Sequence, residues 1–394
     1  MWKFSSVRTP GILFCGLLAS ACVAEPDDDE DTWSSAPGVT VERIALYQGV
    51  ERDLMLDGEL VEDSTVPLVE GRPGVVRVFY STDGEYDGEQ VTGRLTVGGE
   101  VFESEPTFLE ESSDSDDLDS TINVSFGVDD LPGGDLSWSV DLVQEGDFAS
   151  EGAARFPREG AAETEVEADA NVLRVVIVPF SYEADGSGRV PNLDDEQVEK
   201  IRRYFHKLYP VTDVELGVRD VVPFNSALGP DGSGWFNAGL ATVAARNEDG
   251  ADEDVYYYGM FNPTETLQQF CFGGCLLGVT LLNDEPADIG NPQLRIAIGV
   301  GFESRAADVA AHELGHSHGR GHAPCGPGGS LPDGIDPAYP YDDGVIGVHG
   351  HDFYEDELLD PSDSTDIMGY CDDQWVSDYQ YRALHERGQN VNLP

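Results

Sequence analysis

Positive charge is scarce in this chain. Only 22 Lys and Arg stand against 76 Asp and Glu in 394 residues, a formal net charge of −54. An acidic envelope of this size repels phosphate backbones and anionic lipid surfaces, which excludes nucleic acid and direct membrane adsorption as partners. Long apolar runs are lacking too, since no segment approaches the roughly 20 apolar residues of a membrane-spanning helix. Residues 39–156 contain no His or Cys and hence no evident catalytic set. Nothing resembles a serine elbow, a phosphate loop or a dinucleotide fingerprint. What is present suffices for real cores: 40% hydrophobic and 9% aromatic residues separate the chain from disordered acidic sequences. The length fits two or three domains.

Residues 1–21 open with Lys3 and Arg8, continue through the apolar stretch 11–18 and close on Ala19, Ser20 and Ala21. This is the pattern of a bacterial-type export signal. Leu18-Ala19-Ser20-Ala21-Cys22 resembles a lipoprotein box, in which Cys22 is acylated and becomes the first mature residue. Cleavage by an ordinary signal peptidase after Ala21 would leave the same Cys22 without a lipid. Residues 22–38, with the acidic run 25–31, read as a solvated spacer. The expected location is extracytoplasmic, either on the cell envelope, with membrane contact only through that lipid, or secreted. Cys271, Cys275, Cys325 and Cys371 then lie where disulfides persist, and three pairings are open. We favour Cys271 with Cys275 and Cys325 with Cys371, because the second pair joins two segments that the chemistry below needs as neighbours.

Residues 39–156 read as an all-β sandwich of about seven to nine strands. Thr121-Ile122-Asn123-Val124-Ser125-Phe126 and Leu136-Ser137-Trp138-Ser139-Val140-Asp141-Leu142 alternate polar and apolar strictly. Residues 157–170, rich in Glu and Ala, read as a linker. From 171 to 394 the pattern changes to an α/β (α+β) domain: a continuous apolar strand at 172–180 is followed by helical spacing of Val198, Ile201, Phe205 and Leu208 within 194–208. Further strands are expected at 213–222, 254–260, 276–282 and 294–300, with a helix near 238–246.

The chemistry concentrates in Asp308-Val309-Ala310-Ala311-His312-Glu313-Leu314-Gly315-His316. Residues four apart on a helix differ by about 40° in direction, so His312 and His316 share a face and can grip one metal ion. Gly319 suits the left-handed turn that ends a helix, after which His322 can fold back as a third ligand. Three neutral imidazoles leave a zinc ion its full charge and an open position, the mark of a catalytic site. Water there falls in pKa from about 16 towards about 7, and Glu313, turned by about 100° from His312, is placed to accept its proton.

With these residues the chain resembles the metzincin clan of zinc endopeptidases, whose motif HExxHxxGxxH is matched by His312, Glu313, His316, Gly319 and His322. Asp366-Ile367-Met368-Gly369-Tyr370 is similar to that clan's Met-turn. The resemblance implies that Met368 forms an apolar floor under the ligands without binding metal, and that Tyr370 donates a hydrogen bond to the oxyanion. It implies also that the strand before the helix, residues 294–300, borders the cleft and pairs with an extended peptide. At Ala323 the sequence departs from the known subfamilies, so none is assigned. Pro67-Leu68-Val69-Glu70-Gly71-Arg72-Pro73-Gly74-Val75-Val76-Arg77 looks like a segment of β-sandwich modules attached to some bacterial secreted metzincins.

The expected activity is zinc-dependent hydrolysis of peptide bonds in extracellular proteins or glycoproteins, with oligomeric state left open. The competing reading is a non-catalytic surface binding protein with a structural zinc site, against which the intact Glu313 argues. Asp333, Asp336, Asp342, Asp343, Asp360, Asp363 and Asp366 carry oxygens that suit calcium, although a solvated acidic loop is the simpler reading. His318 reads as solvated or as a neighbour of the ligands, His349 and His351 as surface or cleft residues, and His206 and His385 as partly exposed. Trp375, Tyr379, Tyr381 and Leu384 fit a final helix behind the Met-turn.

Overall fold

The strict alternation of the first half builds an antiparallel sandwich. The computed structural model describes residues 33–127, 130–146, 153–168, 171–272, 274–280 and 291–392. The segment read as an export signal, Cys22 and the acidic run lie outside the described residues. Along Gly134–Glu145, Leu136, Trp138, Val140 and Leu142 are buried while Ser137 is exposed, the period of two that lays one face on a core. One sheet runs in the order Glu59–Leu60, Glu51–Leu56, Val39–Tyr47, Gly74–Thr82, Ile122–Phe126. The other centres on Gly134–Glu145. One of its edges pairs with Thr92–Val97, and the other pairs in turn with Trp33–Ser35, Arg155–Phe156 and Ala162–Val166.

Two of these strands correct the sequence reading. Trp33–Ser35 lies in the segment read as a spacer and Ala162–Val166 in the segment read as a linker. Both are held by main-chain pairing to Gly134–Glu145, and such ladders need little side-chain hydrophobicity. In Ala162–Val166 only Ala162 and Val166 turn inward. The sheets have six and five strands among the described residues, more than expected.

The second domain is a mixed sheet between helices, so the molecule is a multidomain α+β protein. Its strand order is Asp213–Val218, Val172–Tyr182, Val255–Phe261, Ile296–Val300, Gly278–Thr280; the first four are parallel, the last antiparallel. The expected strand at 213–222 divides, with Val222–Phe224 pairing separately onto Val172–Tyr182. Helices cover both faces, which is why the central strands read as unbroken apolar runs. Val175, Ile177, Tyr256 and Tyr258 pack in one cluster with α1 (Asp195–Leu208), whereas Val176, Val178, Tyr257 and Phe261 pack in another with α2 (Trp235–Asp249). A single turn, α3 (Leu267–Phe270), precedes the edge strand. The helix α4 (Ala306–Ser317) lies on the α1 side, and α5 (Asp378–Asn392) closes the domain with Tyr381 and Leu384 buried. No helix among the described residues is long and apolar enough to cross a membrane.

The two domains share core and hydrogen bonds. Val50 and Val66 of the sandwich sit in the second domain's core. Arg72, from the motif Pro67 to Arg77, is fully buried and donates to the carbonyls of Gln48 (2.7 Å), Tyr209 (2.8 Å), Val211 (3.1 Å) and Lys207 (3.0 Å). Trp375 Nε1 donates to Gly49 O at 2.7 Å and Tyr381 OH to Gln48 O at 2.9 Å. Val50 forms an antiparallel bridge with Gly350. This bridge buries the flanking His349 and His351, contrary to the surface or cleft position expected of them. His206 and His385 are also buried rather than partly exposed; His206 is covered by Phe353 and Tyr354, and His385 sits on the inner face of α5.

His349 makes the interface pH-sensitive. Burial alone would raise the Glu51 carboxyl, but the bond to His349 and the charge of Arg43 hold it down at about 2. The bond to Glu51 outweighs burial and raises His349 above its ordinary value. Glu51 therefore contributes stability above about pH 4.5 that is lost as pH falls towards 2, and His349 contributes stability below pH 6.5 that is lost as pH rises through its raised folded value. Two outcomes follow. Arg72→Ala should leave the carbonyls of Lys207 and Val211 without a donor, since Gln48 O keeps Tyr381 OH and Tyr209 O keeps Val211 N–H, and cost about 2 kcal/mol or more in chemical denaturation; a loss under about 1 kcal/mol contradicts the latch. Replacing His349 by Gln should lower the melting temperature more at about pH 6 than at about pH 8; a loss that does not change with pH contradicts the role of His349.

Candidate metal centre

The sequence of α4 and of the turn after it brings three imidazoles together. His312 and His316 are one turn apart on α4, both buried. The helix ends at Gly319, whose φ of 80° suits a residue without Cβ. Gly319 N–H donates to His316 O at 2.8 Å and Arg320 N–H to Gly315 O at 3.0 Å, the paired bonds of a Schellman turn. The chain reverses there, and His322 is fixed by backbone bonds to Gly334 (3.0 Å) and Asp336 (2.9 Å). His316 Nε2 then lies 3.1 Å from His312 Nε2 and 3.0 Å from His322 Nε2.

Each ring is oriented through its other nitrogen. Nδ1 of His312 bonds Ile367 O at 2.7 Å, that of His316 bonds Arg320 O at 2.6 Å, and that of His322 bonds Asp333 O. A carbonyl oxygen only accepts, so every Nδ1 carries the proton and every Nε2 presents a lone pair to the same point. Three lone pairs so close repel one another unless a cation lies between them. Bonds of about 2.0–2.1 Å at tetrahedral angles would set the nitrogens about 3.3 Å apart, within a few tenths of an ångström of these separations. Burial lowers the pKa of all three rings, His316 to about 4, which keeps them neutral as ligation requires. Among the described residues they are the only group of three or more His, Cys, Asp or Glu side chains placed to hold a metal ion.

The surroundings are as specific. Met368 is buried against α4 at Gly315, where a Cβ would stand 2.3 Å from Met368 Sδ. Asp366, 0% exposed, closes the turn by accepting from Met368 N at 2.7 Å and Ser377 N at 2.9 Å. Burial raises its carboxyl to about 6 against those bonds. Tyr370, 46% exposed, sets its hydroxyl 2.7 Å from His322 Nε2. Burial first, then the charges of Glu313 and Asp333, raise that phenol to about 12. Tyr370 N–H donates to Cys325 O at 2.8 Å, and the disulfide Cys325–Cys371 ties this segment to the one carrying His322. The second disulfide is Cys271–Cys275, so the favoured pairing is the one present.

Glu313 is buried, and burial pushes its carboxyl up to about 8 against a hydrogen bond from Thr280. Thr280 Oγ1 lies 2.9 Å from Glu313 Oε2 and 2.7 Å from Glu313 O, and a Cβ at Gly278 would fall 2.3 Å from Glu313 Oε1. The strand Gly278–Thr280 thus shapes the seat of this carboxylate. The sequence reading missed both residues, because nothing local marks a contact made across 33 positions. It also misassigned the cleft edge: Ile296–Val300 is paired on both sides, and the free edge among the described residues belongs to Gly278–Thr280. A cleft of about 380 Å³ opens here, lined by His312, Glu313, Leu276, Leu277, Val309 and Tyr370 among others. A larger cavity of about 760 Å³, walled by Arg52, Glu165 and His385 among others, lies at the domain boundary away from the imidazoles.

The acidic loops keep the simpler of their two readings, and the position of His318 changes. The seven aspartates do not converge. Asp336 accepts from Arg320 and Tyr379, Asp360 from Ser362 N–H, Asp366 closes the Met368 turn, and Asp333 serves through its carbonyl. His318 is not solvated: 3% exposed, it bonds Leu314 O at 2.7 Å and stacks on Tyr256 at 4.6 Å.

No protein-family model matches the chain, and no curated protein matches it. One solved structure, titled "Structure of a chaperone-substrate complex", aligns at 12% identity and a TM-score of 0.30 over 69% of this chain. The chain spans 43% of that protein, and so slight a likeness carries no argument. Replacing Cys325 and Cys371 together by Ser should lower stability by about 3–5 kcal/mol and weaken metal retention, read by denaturation and by competition with a chelator. Metal retention equal to that of the parent protein would contradict a role for this disulfide in holding His322.

Proposed function

We propose that this protein is an exported zinc endopeptidase of the metzincin type, carried outside the cytoplasm and tethered by a lipid on Cys22 when that residue is acylated. The observation that carries the reading is the convergence of three proton-free Nε2 atoms between a buried carboxylate, Glu313, and a phenol, Tyr370. When bound by His312, His316 and His322, zinc supplies a Lewis acid that acidifies water and polarises a carbonyl.

The remaining steps belong to the chain. Glu313 takes a proton from the attacking water and returns it to the leaving amine. Thr280 Oγ1 and the bare Cα of Gly278 hold that carboxylate in one orientation. Tyr370 OH donates to the oxyanion as the carbonyl carbon becomes tetrahedral. The edge of Gly278–Thr280, unpaired among the described residues, offers main-chain donors and acceptors to an extended segment of a protein or glycoprotein. Met368 and Gly315 give the ligand helix its floor.

Cleavage of an unfolded protein substrate should be abolished by a chelator and restored by zinc. Glu313→Gln should abolish turnover while zinc content stays near one per chain, and Tyr370→Phe should lower kcat by about 10²-fold. Cleavage that survives the chelator, or none by zinc-loaded protein, would overturn the endopeptidase reading and favour a binding module.

A further inference from the structure

The cleft beside His312 and Glu313 changes character along its length. From His312 back to Arg305 is about 10 Å along the axis of α4 at 1.5 Å per residue. Leu276, Leu277 and Val309 make the near walls apolar, whereas Arg305, Asp308, Asp372 and Gln374 line the far end. Three of those four are engaged. Arg305 Nε lies 2.7 Å from the Asp308 carboxylate, and Gln374 Nε2 donates to Gly369 O at 2.9 Å. The amino end of α4 favours negative charge, and Asp308 in its first turn already answers it.

Asp372 is the exception. Its main chain is fixed, with Cys371 in the disulfide to Cys325 and Asp372 O accepting from Thr365 Oγ1 at 2.7 Å. Its carboxylate is exposed and makes no hydrogen bond or ion pair with another described residue. The same end opens into a second cavity of about 270 Å³, where Glu303 and Asp373 outnumber Lys200. The far end therefore holds uncompensated negative charge behind an apolar collar.

We propose that this cleft selects a long basic side chain, lysine or arginine, flanking the scissile bond, with its methylene stem on Leu276, Leu277 and Val309 and its cationic head on Asp372. The inference rests on the endopeptidase reading and names the substrate that reading leaves open. A side chain ending in a carboxylate would meet the Asp372 charge inside a chain of net charge −54. A short apolar side chain would leave the far end unfilled.

The test uses the full chain loaded with zinc. Cleavage sites in a mixed peptide library locate the flanking position, and matched peptides carrying Arg, Leu or Glu there give kcat/KM for each. The expected order is Arg over Leu by at least about tenfold and Leu over Glu. Asp372→Asn should bring the Arg-to-Leu ratio towards one, and Asp372→Lys should place Glu above Arg. Zinc-loaded protein that cleaves no peptide would overturn both the endopeptidase reading and this inference. Cleavage without a basic preference, or a preference that Asp372→Lys leaves in place, would overturn this inference alone.

Discussion

Three hydrogen bonds from imidazole Nδ1 to main-chain carbonyls govern the whole site. They choose the tautomer, and the tautomer decides where the lone pairs point. Each carbonyl comes from a different piece of chain: Ile367 from the Met368 turn, Arg320 from the Schellman turn and Asp333 from the loop that pairs with His322. A metal-binding geometry is therefore imposed by three separate turns, and anything that shifts one turn shifts one ligand. The Cys325–Cys371 disulfide and the buried Asp366 are the two devices that keep those turns in register.

The sandwich belongs to this arrangement. A run of hydrogen bonds leads from it to the first ligand: Trp375 Nε1 donates to Gly49 O at 2.7 Å, Ile367 N donates to Trp375 O at 2.6 Å, and His312 Nδ1 donates to Ile367 O at 2.7 Å. Arg72 locks the same corner by capping carbonyls at the end of α1 and in the turn that follows it. The motif around Arg72, which in sequence looks like a segment of attached β-sandwich modules, has here a structural meaning. It docks one domain on the other where the Met368 turn is supported.

What was legible in the sequence was whatever has a short period or a short span. Alternation gave the inward faces of Ile122–Phe126 and Gly134–Glu145, and helical spacing gave α1 and the shared face of His312 and His316. Gly319 announced its turn because few other residues accept that conformation. Contacts made across long intervals stayed hidden. Thr280 against Glu313, Gly49 against Trp375 and the burial of His349 and His351 under the sandwich depend on tertiary placement that no local pattern carries. Strands held by main-chain pairing alone, such as Ala162–Val166, read as linker for the same reason.

The proposed chemistry requires one cation held by three nitrogens whose protons lie on the far side of each ring. X-ray absorption at the zinc edge, on full-length protein loaded with one equivalent of zinc, reads that shell directly. The expected shell is three imidazole nitrogens at about 2.0–2.1 Å and no sulfur. A shell containing thiolate sulfur at about 2.3 Å, fewer than three imidazoles, or protein that retains no zinc would contradict it.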